Sequence, residues 1–352
     1  MKIAVVFDTP YGLEHDNQLK RMDAELANRA QREPEAEYQV ANALRNVGHE
    51  VRLIGLNHDL GRLLDELRKN GIDLVFNCTE AFAKNPSLDY VVASALEANG
   101  YRYTGAPPLS LLLTRNKALS KKLLSYHGIR VPGFVTYEPG DPVEEPYLGF
   151  PLIVKPLELD ASEGIAAASV VRDTEALRDR VVHLHERFHQ PAIAEEFIEG
   201  RELYVSVLGN GSRLEILPVT EMVFDKEKTR PEERIATQSA KWDEPYRRRR
   251  GIKNVIARPI SKNARAAIEE TCRTAYRALC LRDYARMDLR LTDKDEVWFL
   301  EANANPYLAD GHEVAASAKK AGMTYEQLIQ RIVDEAAGDV SPRAPIAVPR
   351  QG

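Results

Sequence analysis

Asp288, Glu301 and Asn303 are the residues whose types and spacing first suggest chemistry. They sit in the stretch YARMDLRLTDKDEVWFLEANANPY, from Tyr284 to Tyr307. Arg286 to Leu291 alternates polar and apolar residues with a period of two, as a half-buried strand does, and Val297 to Leu300 reads as a second, more buried strand. The polar run Thr292 to Glu296 between them makes the pair a β-hairpin. Met287, Leu289 and Leu291 then face a core, which leaves Arg286, Asp288 and Arg290 together on the opposite face. Glu301 and Asn303, two residues apart, share one face of the second strand. Two carboxylates and an amide within reach of one another are hard oxygen ligands, suited to Mg²⁺ held partly by protein and partly by a nucleotide's phosphates. The plainer reading is a hairpin with a solvated polar face; an arginine beside the acidic pair favours the functional one.

Lys155 ends the buried strand Leu152 to Val154 in the phrase PLIVKPL, where Pro156 cannot continue the ladder. A lysine there, aimed into a cleft, is a point charge for phosphate oxygens; a solvated surface lysine is the plainer alternative. The loop Asp160 to Ile165 has backbone amides and a Ser162 hydroxyl that could wrap a phosphate, although with one glycine it is weaker than a Walker loop. Ala194 to Glu202 begins as a strand and turns at Gly200. It could offer backbone groups to a purine edge, apolar walls from Phe197 and Ile198, and the Glu202 carboxylate to ribose hydroxyls, or be only a charged hairpin connection.

The elements that hold these groups follow from the pattern. Lys2 to Phe7 reads as a buried parallel strand, followed by a charged stretch from Glu14 to Glu33. Helical spacing at Ala36, Val40, Ala43 and Val47 stops at Gly48. Strand Glu50 to Leu56, a helix through Leu60 and Leu67, strand Ile72 to Phe76, a helix near Leu88 to Ala98 and a short strand Tyr101 to Thr104 follow. This alternation predicts a small doubly wound parallel sheet, and without a GxGxxG after the first strand it is not a dinucleotide site. Pro107-Pro108 marks a boundary, and one helix carrying Lys117, Leu119, Leu123 and Leu124 runs on to Gly128. An α+β module comes next, with strands Leu152 to Lys155, Ile165 to Val171, Ile193 to Phe197, Glu202 to Leu208 and Leu214 to Val219, and a helix Thr174 to Phe188. Helix Lys262 to Leu279 packs Ala266, Ile268, Cys272, Ala275 and Leu279 near the hairpin. The tail past Gly338 is Pro-rich and reads as disordered.

The chain of 352 residues is 44% hydrophobic and 29% charged, enough for a large core and two or three domains in close contact. A net charge of -5 argues against general nucleic-acid binding, which favours a basic surplus. The run Arg247 to Arg250 is then either a solvated loop or part of a lid near phosphates. Three cysteines, Cys78, Cys272 and Cys280, form neither a CxxC pair nor a disulfide framework and fit a reducing cytoplasm. MKIAVVFDTP has too short an apolar run for a signal peptide, and no segment reaches the roughly 20 apolar residues that span a bilayer.

In order, the phrases TRNKALSKKLL, FPLIVKP, ASEGI, AEEFIEGRELYVSVL, SAKW, YARMDLRL and FLEANANP resemble the ATP-grasp superfamily, in its D-alanine–D-alanine ligase-like branch. The resemblance runs over most of residues 104–337. It implies an ATP-grasp fold behind an N-terminal Rossmann-like (pre-ATP-grasp) domain, divided as 1–106, 107–200, 201–338 and a tail 339–352. It also implies ATP and Mg²⁺, or Mn²⁺ in its place. Lys117 and Lys155 would be the phosphate lysines, Ser162 and Gly164 the loop closing over the phosphates, and Glu195, Phe197, Ile198 and Glu202 the adenine and ribose site. Asp288, Glu301 and Asn303 would carry the metal ions, Lys241 would reach the γ-phosphate from a mobile loop, and Arg286 would steady the reacting carboxylate and tetrahedral intermediate.

The activity implied is an ATP-dependent carboxylate–amine ligase working through an acylphosphate on small carboxylate and amine substrates, as a cytoplasmic homodimer. Departures lie in the substrate half. Phe7 to Gly12 replaces the family's N-terminal glycine-rich and acidic phrase, Asn77 to Pro86 its HGxxGEDG phrase, Ala304 to Tyr307 its glycine-bearing turn, and His312 falls near its expected serine. Tyr11, His15, Glu80 and His312 are candidates for substrate selection. D-alanine–D-alanine ligase proper and a non-catalytic ATP-binding regulatory protein are the alternatives.

Overall fold

The computed structural model describes residues 1–8 and 36–338. The charged stretch Glu14 to Glu33, the candidates Tyr11 and His15, and the tail from residue 339 lie outside the described residues. Strand β1 (Lys2–Asp8) is buried from Ile3 to Phe7, as a central parallel strand should be. It lies between β2 (Glu50–Leu56) and β3 (Leu74–Asn77), parallel to both. Asp59 caps the helix Leu60–Lys69 that leads from β2 toward β3 by accepting from the Arg62 N–H. The strand expected at Tyr101 to Thr104 is reduced to a single bridge from Tyr103 to Val75. At Gly105 the chain takes a φ of +89°, which a side chain would resist, and leaves the sheet.

The one helix expected after Pro108 is two. Asn116 has extended backbone between the helices Pro108–Arg115 and Lys117–Tyr126, and its side chain caps the second by accepting from the Leu119 N–H. Lys117 is thereby the first residue of a helix. A four-stranded antiparallel sheet follows, built from β4 (Phe134–Tyr137), β5 (Leu152–Pro156), β6 (Val170–Val171) and β7 (Ala192–Glu196) in the order β4-β7-β5-β6. The strand expected at Ile165 to Val171 is cut to Val170–Val171 because residues 167–169 wind into a 3₁₀ turn. Helix Thr174–Phe188 has the limits the periodicity predicts and packs Leu177, Val181 and Leu184 on Leu152, Val154 and Ala194.

The largest sheet takes in β8 (Arg201–Leu208), β9 (Glu215–Ile216), β10 (Thr220–Val223), β11 (Lys253–Ile256), β12 (Tyr284–Leu291) and β13 (Val297–Asn303). Its order is β11-β10-β8-β12-β13, with β9 also on β8. The strand expected at Leu214 to Val219 pairs only through its Glu215–Ile216 segment. β12 is central and all of its residues are buried, so Arg286, Asp288 and Arg290 lie on a covered face rather than a half-exposed one. Helix Lys262–Ala278 covers the other face with Ala264, Ile268, Cys272 and Ala275, while Ala266 turns to solvent because it sits off that stripe. Among the described residues no helix is long and apolar enough to cross a membrane.

The cores explain how these sheets hold together. Val75 and Leu96, Leu111 and Leu124 from the following helices, and Met287 and Leu289 of β12 belong to one cluster. The four-stranded sheet has a core of its own. Asp283, fully buried, clasps the joint: it accepts from the Gly105 N–H at 2.9 Å and from Asn210 Nδ2 at 2.9 Å. Replacing Asp283 by Ala orphans both donors at a buried junction. An expected loss of about 2 kcal/mol lowers the thermal unfolding midpoint by about 5 °C, read by circular dichroism.

Candidate active site

Strand register brings the polar groups of the large sheet to one face. Asp288 pairs with Glu301 and Arg286 with Asn303 across β12 and β13, and on the other side Asp288 lies opposite Tyr204 and Arg290 opposite Glu202. Residues directly opposed in antiparallel strands project to the same side. Arg286 grips Asp288 through two bonds, Nε to Oδ1 at 2.7 Å and Nη2 to Oδ2 at 2.9 Å. Its Nη1 is 3.6 Å from the Glu313 carboxylate, and the guanidinium lies over the Tyr204 ring at 5.1 Å. Asn303 Nδ2 donates to Asp288 Oδ1 at 3.4 Å. Glu202 and Arg290 form a buried ion pair at 2.7 Å.

Two carboxylates opposed on neighbouring strands repel, and the surroundings divide them. Burial pushes the Asp288 carboxyl up; Arg286 pulls it back only in part, and Glu301 adds to the rise. Burial would raise Glu301 too, but the charges of Lys117, Lys241, Lys155 and Arg286 hold it well below the usual carboxylate range. Three lysines from three separate elements therefore all act to keep one carboxylate ionised. Among the described residues no cluster of three or more His, Cys, Asp or Glu side chains is arranged to hold a metal. Two carboxylates and one amide make an incomplete oxygen set, of the kind that Mg²⁺ completes with waters and phosphate oxygens.

A second cluster lies on the four-stranded sheet. Lys155 on β5 donates to Glu195 Oε2 at 2.8 Å across the β5–β7 pairing. Lys121, fully buried on the helix Lys117–Tyr126, lies 3.5 Å from Glu195 Oε1 and donates to the Leu300 carbonyl. Burial pushes Lys121 down to about 8, with Glu195 opposing the fall and Lys155 adding to it. Burial would raise Glu195, but both ammonium groups hold it low. Lys121 is absent from the residues picked out by sequence. Its signal was its place four residues after Lys117, on the same helix face. Just past β7, Phe197 and Ile198 are half-buried, and the Phe197 N–H is taken by the Pro151 carbonyl at 3.1 Å.

The loop Asp160 to Ile165 turns through Ala161, Ser162 and Gly164, all at positive φ. A Cβ at Gly164 would come within 2.6 Å of Pro156 and 2.9 Å of Phe188, so glycine is required there twice over. Lys117 Nζ donates to the Leu159 carbonyl and lies 3.9 Å from Asp160. Arg115, also missed by sequence, joins Asp160 to the buried Asp89. The short helix Gln238–Trp242 leans on this loop: the Gln238 N–H reaches the Ile165 carbonyl and Trp242 Nε1 the Ala161 carbonyl, each at 3.4 Å. Lys241 lies on that helix. Of the basic run, Arg247 binds the Ala240 carbonyl and Arg250 binds Glu233 and the Lys228 carbonyl, so both hold the local structure. Glu80 is solvent-facing, and its backbone N–H donates to Asp8 Oδ1 at 2.7 Å.

The family described as "D-ala D-ala ligase C-terminus" matches residues 123–334. An uncharacterized protein, y4sG, of Sinorhizobium fredii is 31% identical over 84% of this chain and 86% of its own. A D-alanine--D-alanine ligase of Bordetella petrii is 30% identical over 85% of each chain. The crystal structure of a D-alanine--D-alanine ligase from Bacillus anthracis complexed with ATP superposes with a TM-score of 0.72, covering 96% of this chain and 97% of that one at 20% identity, which is a likeness of fold.

The buried Lys121–Glu195–Lys155 trio has a measurable pH signature. Folded Lys121 gives up its proton near pH 8 and the unfolded chain only near the ordinary lysine value, so stability rises with pH between the two. Glu195→Gln leaves two buried ammonium groups without their anion. The expected cost is about 3–5 kcal/mol at pH 7, and the rise in stability begins at a lower pH than in the unaltered protein, both read by urea unfolding across pH 6–10.

Proposed function

Because the chain belongs to the D-alanine–D-alanine ligase-like branch of the ATP-grasp superfamily, we propose that it joins the carboxylate of one small amino acid to the amine of another. ATP is consumed and ADP and phosphate are released. A carboxylate is a poor electrophile because its oxyanion leaves badly. Transfer of the γ-phosphoryl group turns it into an acylphosphate, whose phosphate departs when an amine attacks the carbonyl carbon. Phosphoryl transfer asks for positioning and charge neutralisation more than covalent help.

In this reading Lys117 and Lys155 take phosphate oxygens, and the Ser162 and Gly164 loop folds over them. Phe197 and Ile198 flank the adenine, and Glu202, steadied by Arg290, meets the ribose. Glu195 acts through Lys155 and Lys121, to which its carboxylate is bound. Lys241 reaches the γ-phosphate from the short helix leaning on the loop, and Arg286 orients the reacting carboxylate. Asp288, Glu301 and Asn303 would hold Mg²⁺, whose charge offsets that of the phosphates during transfer. The observation that supports this most is the pair of opposed carboxylates, Asp288 buried and Glu301 half-buried, with the charges of Lys117, Lys155, Lys241 and Arg286 acting on Glu301. D-alanine as both substrates is the narrower form that the relatives' names suggest.

A phosphate-release screen of amino acids, singly and in pairs, with mass measurement of the product, tests the activity; silence across the panel would sink it. Asp288→Asn and Glu301→Gln are each expected to cut turnover by at least about 10²-fold while circular dichroism stays native. Asp288 holds its proton to a higher pH than an ordinary carboxylate. Magnesium-dependent nucleotide affinity should therefore fall, on acidification, before pH reaches the usual Asp value of about 3.9, and Asp288→Asn should abolish that dependence.

A further inference from the structure

We propose that Trp242, Tyr307 and His312 form a pocket for the side chain of one of the two amino acids being joined, and that it takes an aromatic or other flat apolar side chain rather than a methyl group. The inference rests on the ligase reading above and adds the substrate class to it. Tyr307 stands perpendicular to His312, with ring centroids 4.8 Å apart at 89°, and nearly so to Trp242, at 6.2 Å and 84°. Trp242 and His312 lean toward each other at 34° with centroids 5.9 Å apart. The three rings thus make two facing walls and a floor.

The position of this box ties it to the reaction. Trp242 follows Lys241, and its indole N–H reaches the Ala161 carbonyl of the phosphate loop. Tyr307 lies four residues past Asn303, and His312 directly precedes Glu313, whose carboxylate is 3.6 Å from Arg286. A side chain in the box leaves its amino acid's charged groups beside Arg286 and Glu313.

Two features leave the box free to take a ligand. Trp242 is 51% exposed, although indole is among the side chains that gain most from burial. His312 occupies the N-cap of the helix Glu313–Lys320 and makes no capping bond, where Ser, Thr, Asp or Asn would stabilise the helix. A flat group between two rings needs about 3.5 Å from each face, so the walls must part by about 1 Å to admit one. Trp242 is on the short helix that leans on the loop and the other two rings lie between β13 and the helix Glu313–Lys320, so the walls can part without a change within either element. Without a ligand the rings rest on each other.

The test measures ADP release at saturating ATP and Mg²⁺ with D- and L-alanine, leucine, phenylalanine and tryptophan in all pairs. An aromatic substrate is expected to exceed alanine in kcat/KM by about 10-fold or more, and Trp242→Ala and Tyr307→Ala are each expected to erase that preference. Equal losses for every substrate would make the rings a closure contact only and overturn the proposal, as would an unchanged preference in both variants. Trp298→Phe leaves Trp242 as the sole tryptophan. In that background phenylalanine should shift its fluorescence in the presence of nucleotide and alanine should not; no shift with any amino acid overturns the pocket. ADP release with no pair at all would refute the ligase reading, and the fluorescence titration would still decide the pocket.

Discussion

Asp288 and Glu301 face each other across two neighbouring strands, deep enough that Asp288 is only 2% exposed, and this opposition is the constraint that the rest of the architecture answers. Like charges in that position are unfavourable on a sheet and more so out of water. They persist because positive charge arrives from several directions: Arg286 from the same strand, Lys117 from a helix start, Lys155 from the four-stranded sheet and Lys241 from a short helix. No local sequence could supply that set. It requires the two antiparallel sheets to be brought together with the helix Lys117–Tyr126 between them, and Lys121 bound to the Leu300 carbonyl next to Glu301 ties that helix directly to β13.

The division of the cores suits such a site. The N-terminal parallel sheet and the large sheet share one apolar cluster, locked by Asp283 and its donors, whereas the four-stranded sheet packs on a core of its own. One wall of the site is then continuous with the bulk of the protein and the other is an independent layer. Residues that meet across the gap include two ion pairs, Arg115 with Asp160 and Lys121 with Glu195, beside an apolar contact of Ala118 with Leu157 and Ile193.

What the sequence disclosed and what it hid divide along the same line. The hairpin at 284–303 was legible because period-two alternation and a polar turn are local properties, and so was the helix Thr174–Phe188 with its Asp173 cap. The Asp288, Glu301 and Asn303 set could be picked out because the residues fall within one hairpin. The strand order β10-β8-β12-β13 was not legible, since pairing over long separations leaves no periodic trace, and with it went the burial of the Arg286 face. The resemblance implies a place for Glu195 at the adenine and ribose site, and the β5–β7 pairing, which no local pattern discloses, sets its carboxylate against Lys155. Leu214 to Val219 read as a full strand by composition, but only Glu215–Ile216 is laddered on β8; beyond it Leu217 bonds Ser206 and Val219 bonds Ala257 singly.

Glu313 shows how a residue with no sequence signal completes the site. Arg286 has two carboxylate neighbours, of which Asp288 is the closer. A guanidinium held by Asp288 alone would lose its orientation whenever Asp288 turned to another partner. Glu313, at 3.6 Å on another nitrogen and itself anchored by Asn254 at 2.9 Å, comes from a different element and is not part of the opposed pair. The Tyr204 ring supplies a second fixed surface beneath the guanidinium. Arg286 therefore keeps two of its three contacts when Asp288 is engaged elsewhere, and its charge stays where the sheet put it.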